Sequence, residues 1–385
     1  MPTPHENITW LTQTARRLLQ GCQTEAHDGT VLYTPDGKAH YAALWTRDFA
    51  YTVEYTADLI PQGHIEAGIR YLLRAQRADG AMPDRVRPDG MPVYVAGPEN
   101  SPLGEPNLDN PPFLVIAVDA YLRRVSPSRR QTLFKEWCTA LDRGLDWVPL
   151  SPRGLVYNNP DKPHSPYGFT DCIGKTGELL MESLLYWTAC RRLERWHRQV
   201  GRVQRATEYG RRAREIETNL VRLWDDKEGA FLAATVDCKQ IDIWGNAYAL
   251  AVGFPLGERR AKLQRLLVQR YEDYTWKGQV RHLFKGEYWQ RLLTPVAPDR
   301  YQNGAYWATA TGWLMQAIHP INPQLAKRTF NELIEDFKAN GVYECIHPEY
   351  RQLESYVVSA CNPLGSARVI WGKSRRGGSN GTLSR

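Results

Sequence analysis

Five carboxylates lie in polar, glycine- and proline-bearing stretches where a pair could serve as proton donor and proton acceptor. Asp171 and Glu178 belong to Tyr167-Gly-Phe-Thr-Asp-Cys-Ile-Gly-Lys-Thr-Gly-Glu178. Glu344 and Glu349 belong to Gly341-Val-Tyr-Glu-Cys-Ile-His-Pro-Glu-Tyr350, and Glu354 follows closely. Any of the last three would activate a water if it faced a cavity. The plainer reading makes Asp171 a helix cap and Glu178 one more helical carboxylate. A second set of residues is suited to hydroxyl-rich ligands. In Leu44-Trp-Thr-Arg-Asp-Phe49, Trp45 offers a flat apolar wall, while Arg47 and Asp48 offer a donor and an acceptor for vicinal hydroxyls. Thr46 or Asp48 would equally serve as a helix cap, with Arg47 paired locally. Asp109, in Asn107-Leu-Asp-Asn-Pro-Pro112, is a further hydroxyl acceptor or simply a turn residue ended by proline.

The elements that must position these residues are helices. Apolar periodicity and capping signals predict twelve of them: 6–19, 45–60, 64–76, 112–124, 130–147, 175–198, 202–224, 243–252, 258–271, 304–318, 322–339 and 355–371. Connections after the second, fourth, sixth, eighth and tenth are a few residues long, as antiparallel helix hairpins require. Connections after the odd-numbered helices are far longer than usual helix–helix loops, and long loops in a compact domain are commonly functional. Their regular recurrence puts them all at one end of a helical ring, together with the carboxylates and Trp45, Arg47 and Asp48. Gln240-Ile-Asp-Ile-Trp-Gly-Asn-Ala-Tyr and Tyr301-Gln-Asn-Gly-Ala-Tyr-Trp enter the eighth and tenth helices in similar order, a weak internal repeat of the kind stacked hairpins produce.

Trp45-Thr46-Arg47-Asp48 resembles the Trp-x-Arg-Asp element of glucoamylase-type and related six-hairpin glycosidases, where it opens the second helix. The resemblance implies that Arg47 and Asp48 hold ring hydroxyls beside the scissile bond. Asp171, followed by Gly174-Lys175 and a helix, resembles the acid-bearing loop of glycogen-debranching and glucoamylase-like catalytic domains, which implies that Asp171 protonates the leaving oxygen. Such an acid needs a raised pKa, and Tyr167, Phe169 and Ile173 supply apolar neighbours. Glu178 is the alternative acid. The same resemblance implies a base between the eleventh and twelfth helices, where Glu344 stands, with Glu349 and Glu354 as competitors. Gln302-Asn303-Gly304 is similar to the Asn-Gly-(x)-x-Trp element of debranching-type glycosidases, so Asp242, Gln302, Asn303 and Trp307 are expected sugar contacts, although core packing explains the aromatics equally well. The fold implied is an all-α (α/α)6 toroid with a funnel of long loops at one end. The activity implied is glycoside hydrolysis, inverting if water fits between the carboxylates, at roughly 6.5–9.5 Å separation. Residue-level matches are confined to these short elements.

Bulk properties narrow the alternatives. The chain has 385 residues without a linker-like break, so a single catalytic domain over residues 1–371 is expected, followed by a disordered tail over 372–385. Thirteen Trp and twenty Tyr are many for this length and suit stacking on ligand rings. The formal charge of +7 comes mainly from Arg on solvated helix faces, so no nucleic-acid partner is expected, although an acidic sugar is compatible with it. Seven Cys without a CxxC pair, no apolar leader and no run of 18 apolar residues give the expectation of a cytoplasmic protein away from membranes. Phosphate-loop, HExxH and Gly-x-Ser-x-Gly motifs are missing, and neither metal nor cofactor is expected. The substrate expected is a small oligosaccharide or glycoside; the sequence does not fix oligomeric state. Rival readings are a sugar epimerase relying on histidines (His27, His40, His164, His282, His347 lie in the long loops), a uronyl hydrolase, and a glycan-binding toroid without catalysis.

Overall fold

The computed structural model describes residues 2–372. The expected tail, Gly372 aside, lies outside the described residues. Among these residues twelve α-helices form: α1 (Pro4–Gly21), α2 (Thr46–Thr56), α3 (Gln62–Arg74), α4 (Asn110–Leu122), α5 (Pro127–Trp147), α6 (Leu180–Gln199), α7 (Val203–Asn219), α8 (Ile243–Ala251), α9 (Arg259–Gln269), α10 (Thr311–Ile318), α11 (Pro323–Asn340) and α12 (Val357–Trp371). Their start signals are local. Thr3 and Glu6 form a reciprocal capping box at α1, and Ser126 and Asn322 cap α5 and α11 just ahead of a proline.

The even-numbered helices close a ring: α2 packs on α4, α4 on α6, α6 on α8, α8 on α10, α10 on α12, and α12 back on α2. Their sequences explain the position. Every residue of α4 is buried, as is α12 from Val357 to Ala367, so these helices present no solvated face. Small residues permit close approach. A Cβ on Gly312 of α10 would strike α12 at Asn362 and Ser366, and one on Gly365 of α12 would strike the Tyr55 ring of α2. The odd-numbered helices lie outside this ring and bury a single stripe, as α11 does with Ala326, Phe330, Leu333, Ile334 and Phe337. Helix α1 packs on both α11 and α12, joining the two ends of the chain, with Asn7 donating to Asn331 at 2.8 Å.

The long connections, residues 22–45, 75–109, 148–179, 220–242, 270–310 and 341–356, are not bare loops. Each contains one short antiparallel strand pair, and Leu44–Trp45 adds a third strand to the pair in 75–109. These pairs satisfy backbone groups that would otherwise lack partners near the toroid's end. They also correct several expected helix starts. Residues 175–179 are extended instead of helical, with Gly177–Glu178 paired to Tyr157–Asn158 and Gly177 at φ +84°. Residues 304–310 precede α10: the Tyr306 backbone exchanges both hydrogen bonds with Ile346 (2.8 Å each), and Trp307 does so with Val280 (3.0 and 3.1 Å). Glu354 ends the strand Tyr350–Glu354 and does not open α12.

Candidate active site

A cavity of about 970 Å³ opens at the end of the ring where the long connections lie. Asp171, Glu344, Trp45, Arg47 and Asp48 line it, with Tyr41, Arg85, Phe169, Tyr301 and Tyr356. Its floor is a packed aromatic layer: Phe169 lies against Tyr51, Tyr167, Trp244 and Trp307.

Glu344 comes from the hairpin Tyr343–His347/Tyr350–Glu354, which is held by the Tyr306–Ile346 backbone pair. Its Oε1 accepts from the Tyr41 hydroxyl at 2.9 Å and the Tyr301 hydroxyl at 3.2 Å, while Oε2 is buried without a partner among the described residues. Burial pushes its carboxyl up to about 8, aided by the charges of Asp48 and Asp171 and opposed by the two tyrosine hydrogen bonds. Asp171 follows a 3₁₀ turn, Gly168–Thr170, on the connection into α6. Its Oδ1 accepts from Gln302 Nε2 at 2.7 Å and from the Cys172 thiol at 3.4 Å. Burial raises its carboxyl as well, with the Arg47 charge pulling the other way.

Arg47 and Asp48 enter the cavity because they open α2 directly after the strand Leu44–Trp45. The Arg47 guanidinium is held between two buried carboxylates, paired to Asp84 and, through Nε at 3.4 Å, to Asp109. Gly168 makes room for it: a Cβ there would overlap the guanidinium. Asp48 accepts from Tyr356 at 2.6 Å, and burial lifts its carboxyl to about 6. The Trp45 ring carries Arg85 at 4.6 Å and the edge of Tyr41.

Other expected contacts stand elsewhere. Asp109, expected as a hydroxyl acceptor, is fully buried behind Arg47 and accepts the Gly168 N–H at 2.8 Å, tying α2 to the turn before α6. Asp242 caps α8, accepting from Trp244 N at 3.1 Å, and lies near buried Lys175. Asn303 is spent on the Trp289 N–H (2.9 Å) and the Val296 carbonyl (3.0 Å), and Trp307 is in the aromatic floor. Gln302 reaches Asp171 and not the open cavity. The competing carboxylates also fall outside the cavity wall: Glu178 pairs with Arg153 and Arg222, Glu349 with Arg300, and Glu354 with Lys38. Tyr41, Tyr301, Tyr356 and Asp84 were not anticipated. Each is a lone residue of a common type, and only the meeting of distant segments gives it a role.

No family model matches the chain, and no curated protein sequence matches it. Solved structures do. A GH63 mannosylglycerate hydrolase from Thermus thermophilus, in complex with Tris and D-glycerate, superposes with a TM-score of 0.61 at 16% identity over 92% of this chain and 99% of that one. A glucoamylase from Saccharomycopsis fibuligera matches at TM-score 0.60 and 12% identity, covering 95% of each chain. A rhamnosidase from Klebsiella oxytoca with rhamnose bound matches at TM-score 0.64 and 14% identity over 95% of this chain and 64% of that one. The fold is the six-hairpin (α/α)6 toroid of these glycosidases. At such low identity the likeness is one of architecture, and chemistry must be argued from the cavity of this toroid. No described helix is long and apolar enough to cross a membrane.

Proposed function

We propose that the protein is a glycoside hydrolase that cleaves a small, uncharged oligosaccharide or glycoside with inversion. The observation that carries this reading is that Asp171 and Glu344, from connections far apart in sequence, line the same cavity, each with one oxygen held by donors. Asp171, whose carboxyl is raised by burial, gives its proton to the glycosidic oxygen as the C–O bond breaks. Glu344 takes a proton from water attacking the anomeric carbon on the opposite face. Trp45 stacks on the terminal ring, and Arg47 and Asp48 bind its hydroxyls.

An uncharged substrate is favoured over the acidic sugar that the net charge allows. Each arginine on the wall is already matched: Arg47 by Asp84 and Asp109, Arg85 by Asp84, Arg87 by Asp89 and Glu99. A substrate carboxylate would find no unmatched guanidinium among these arginines. The epimerase reading, which needs a histidine pair, has little support: His40 lines the cavity but is turned to Asp36, and His282 is buried against Trp244 and not part of the lining.

One observation favours a second assignment. A carboxyl near 8 suits an acid better than a base at neutral pH, so Glu344 would protonate the leaving group and Asp171 would activate water. Glycosyl fluorides, whose leaving group needs little protonation, separate the two. The first assignment predicts that Asp171→Asn keeps most fluoride hydrolysis and loses alkyl glycoside hydrolysis by about 10²–10⁴-fold, whereas Glu344→Gln loses both. The converse pattern would exchange the roles. NMR of the first sugar released should show the inverted anomer; the retained anomer would refute inversion.

A further inference from the structure

We propose that Gln302 is a positioning residue that decides which oxygen of Asp171 carries the proton, assigning it to Oδ2. This rests on the reading of Asp171 as the acid. The orientation of the Gln302 amide is fixed by two backbone groups of unambiguous polarity. Its Oε1 accepts the Cys172 N–H at 2.9 Å, and its Nε2 donates to the Gly168 carbonyl at 3.3 Å. The same Nε2 donates to Asp171 Oδ1 at 2.7 Å. A second donor, the Cys172 thiol, approaches Oδ1 at 3.4 Å.

Two donors around Oδ1 leave it only the role of acceptor. A proton on Oδ1 would face Gln302 N–H and break the shortest contact of the group. In the neutral acid the proton therefore sits on Oδ2, the oxygen not engaged by Gln302 or Cys172. Gln302 also spans the turn Gly168–Cys172, gripping both of its ends with one planar amide. It arrives from the connection between α9 and α10, held at 3.0 Å by the Trp289 indole N–H on its carbonyl. Its side chain is thus not free to bind sugar, because all three of its polar contacts are used on the acid and the turn that carries it.

The test is Gln302→Met, which keeps the length of the side chain and removes donor and acceptor. In 13C-Asp-labelled protein, infrared difference spectra between the wild type and Asp171→Asn assign the Asp171 carboxyl band. The neutral band has its C=O at Oδ1, so losing the Gln302 donor should move it to higher frequency. On the sugar that the wild type cleaves, hydrolysis of alkyl and phenyl glycosides should fall about 10–100-fold, part of the roughly 10²–10⁴-fold that a general acid contributes, while glycosyl fluoride hydrolysis stays within about threefold. An unshifted carboxyl band, or an equal fall on all leaving groups, would overturn the proposal and make Gln302 a scaffold residue. If Asp171→Asn itself shows no dependence on leaving group, the acid assignment fails and this role with it. Gln302→Glu provides a second variant should the first unfold. It keeps the Cys172 acceptor and turns the donor into an acceptor, so the same leaving-group signature is expected.

Discussion

Glu344 illustrates how a buried carboxylate is kept at a cost in stability. Its oxygens are removed from water, two tyrosine hydroxyls satisfy one of them, and the other has no partner among the described residues. The group's folded value, about 8, stands above its ordinary value of 4.5. Between these two pH values the folded chain holds a proton that the unfolded chain has released, so stability falls as pH rises through that window. Glutamine cannot ionise and avoids this loss. Glu344→Gln is therefore expected to be more stable than the wild type at pH 9, on the order of 1–3 kcal/mol, with the difference shrinking towards pH 5. Urea unfolding at both pH values measures it. A variant less stable at pH 9 than at pH 5, relative to wild type, would contradict the burial argument.

At the scale of elements, the segment before α6 is pinned by charge as well as by strand pairing. Lys175 Nζ lies 2.8 Å from Glu182 Oε1, and both side chains are sealed from solvent. Lys175→Met leaves Glu182 buried and alone, a loss of about 3–5 kcal/mol for such a pair. Adding Glu182→Leu should recover much of it, since an apolar pair avoids desolvation altogether. A single variant with under about 1 kcal/mol of loss would show that the pair is weakly coupled to folding. The same segment marks the limit of what sequence discloses. Helix rhythm was legible because apolar periodicity extends over many residues, and it located the second helix at Arg47-Asp48. Two-residue strands such as Gly177–Glu178 carry no alternation to read, so helix starts at 175 and 304 were placed too early. Asp109 and Gln302 were recognised as important residue types. Their partners, Arg47 and Asp171, come from other segments, so no local signal points to these pairings. Tyr41 and Tyr301 carried no local signal at all.

For the whole molecule, closure of the inner ring through α12 and α2, with α1 bridging α11 and α12, makes the two chain ends mutually dependent. We expect residues 1–371 to behave as one domain, unfolding in a single calorimetric transition; two resolved transitions would divide it. The ring brings Asp171 and Glu344 together across more than a third of the chain, and that meeting is the central claim. The most direct measurement is sugar release from a panel of neutral and uronic aryl glycosides and disaccharides, by the wild type, Asp171→Asn and Glu344→Gln. We expect cleavage of at least one neutral glycoside by the wild type, rejection of the uronides, and a fall of at least about 10²-fold on unactivated substrates in each folded variant. Wild-type cleavage that survives both substitutions would contradict it.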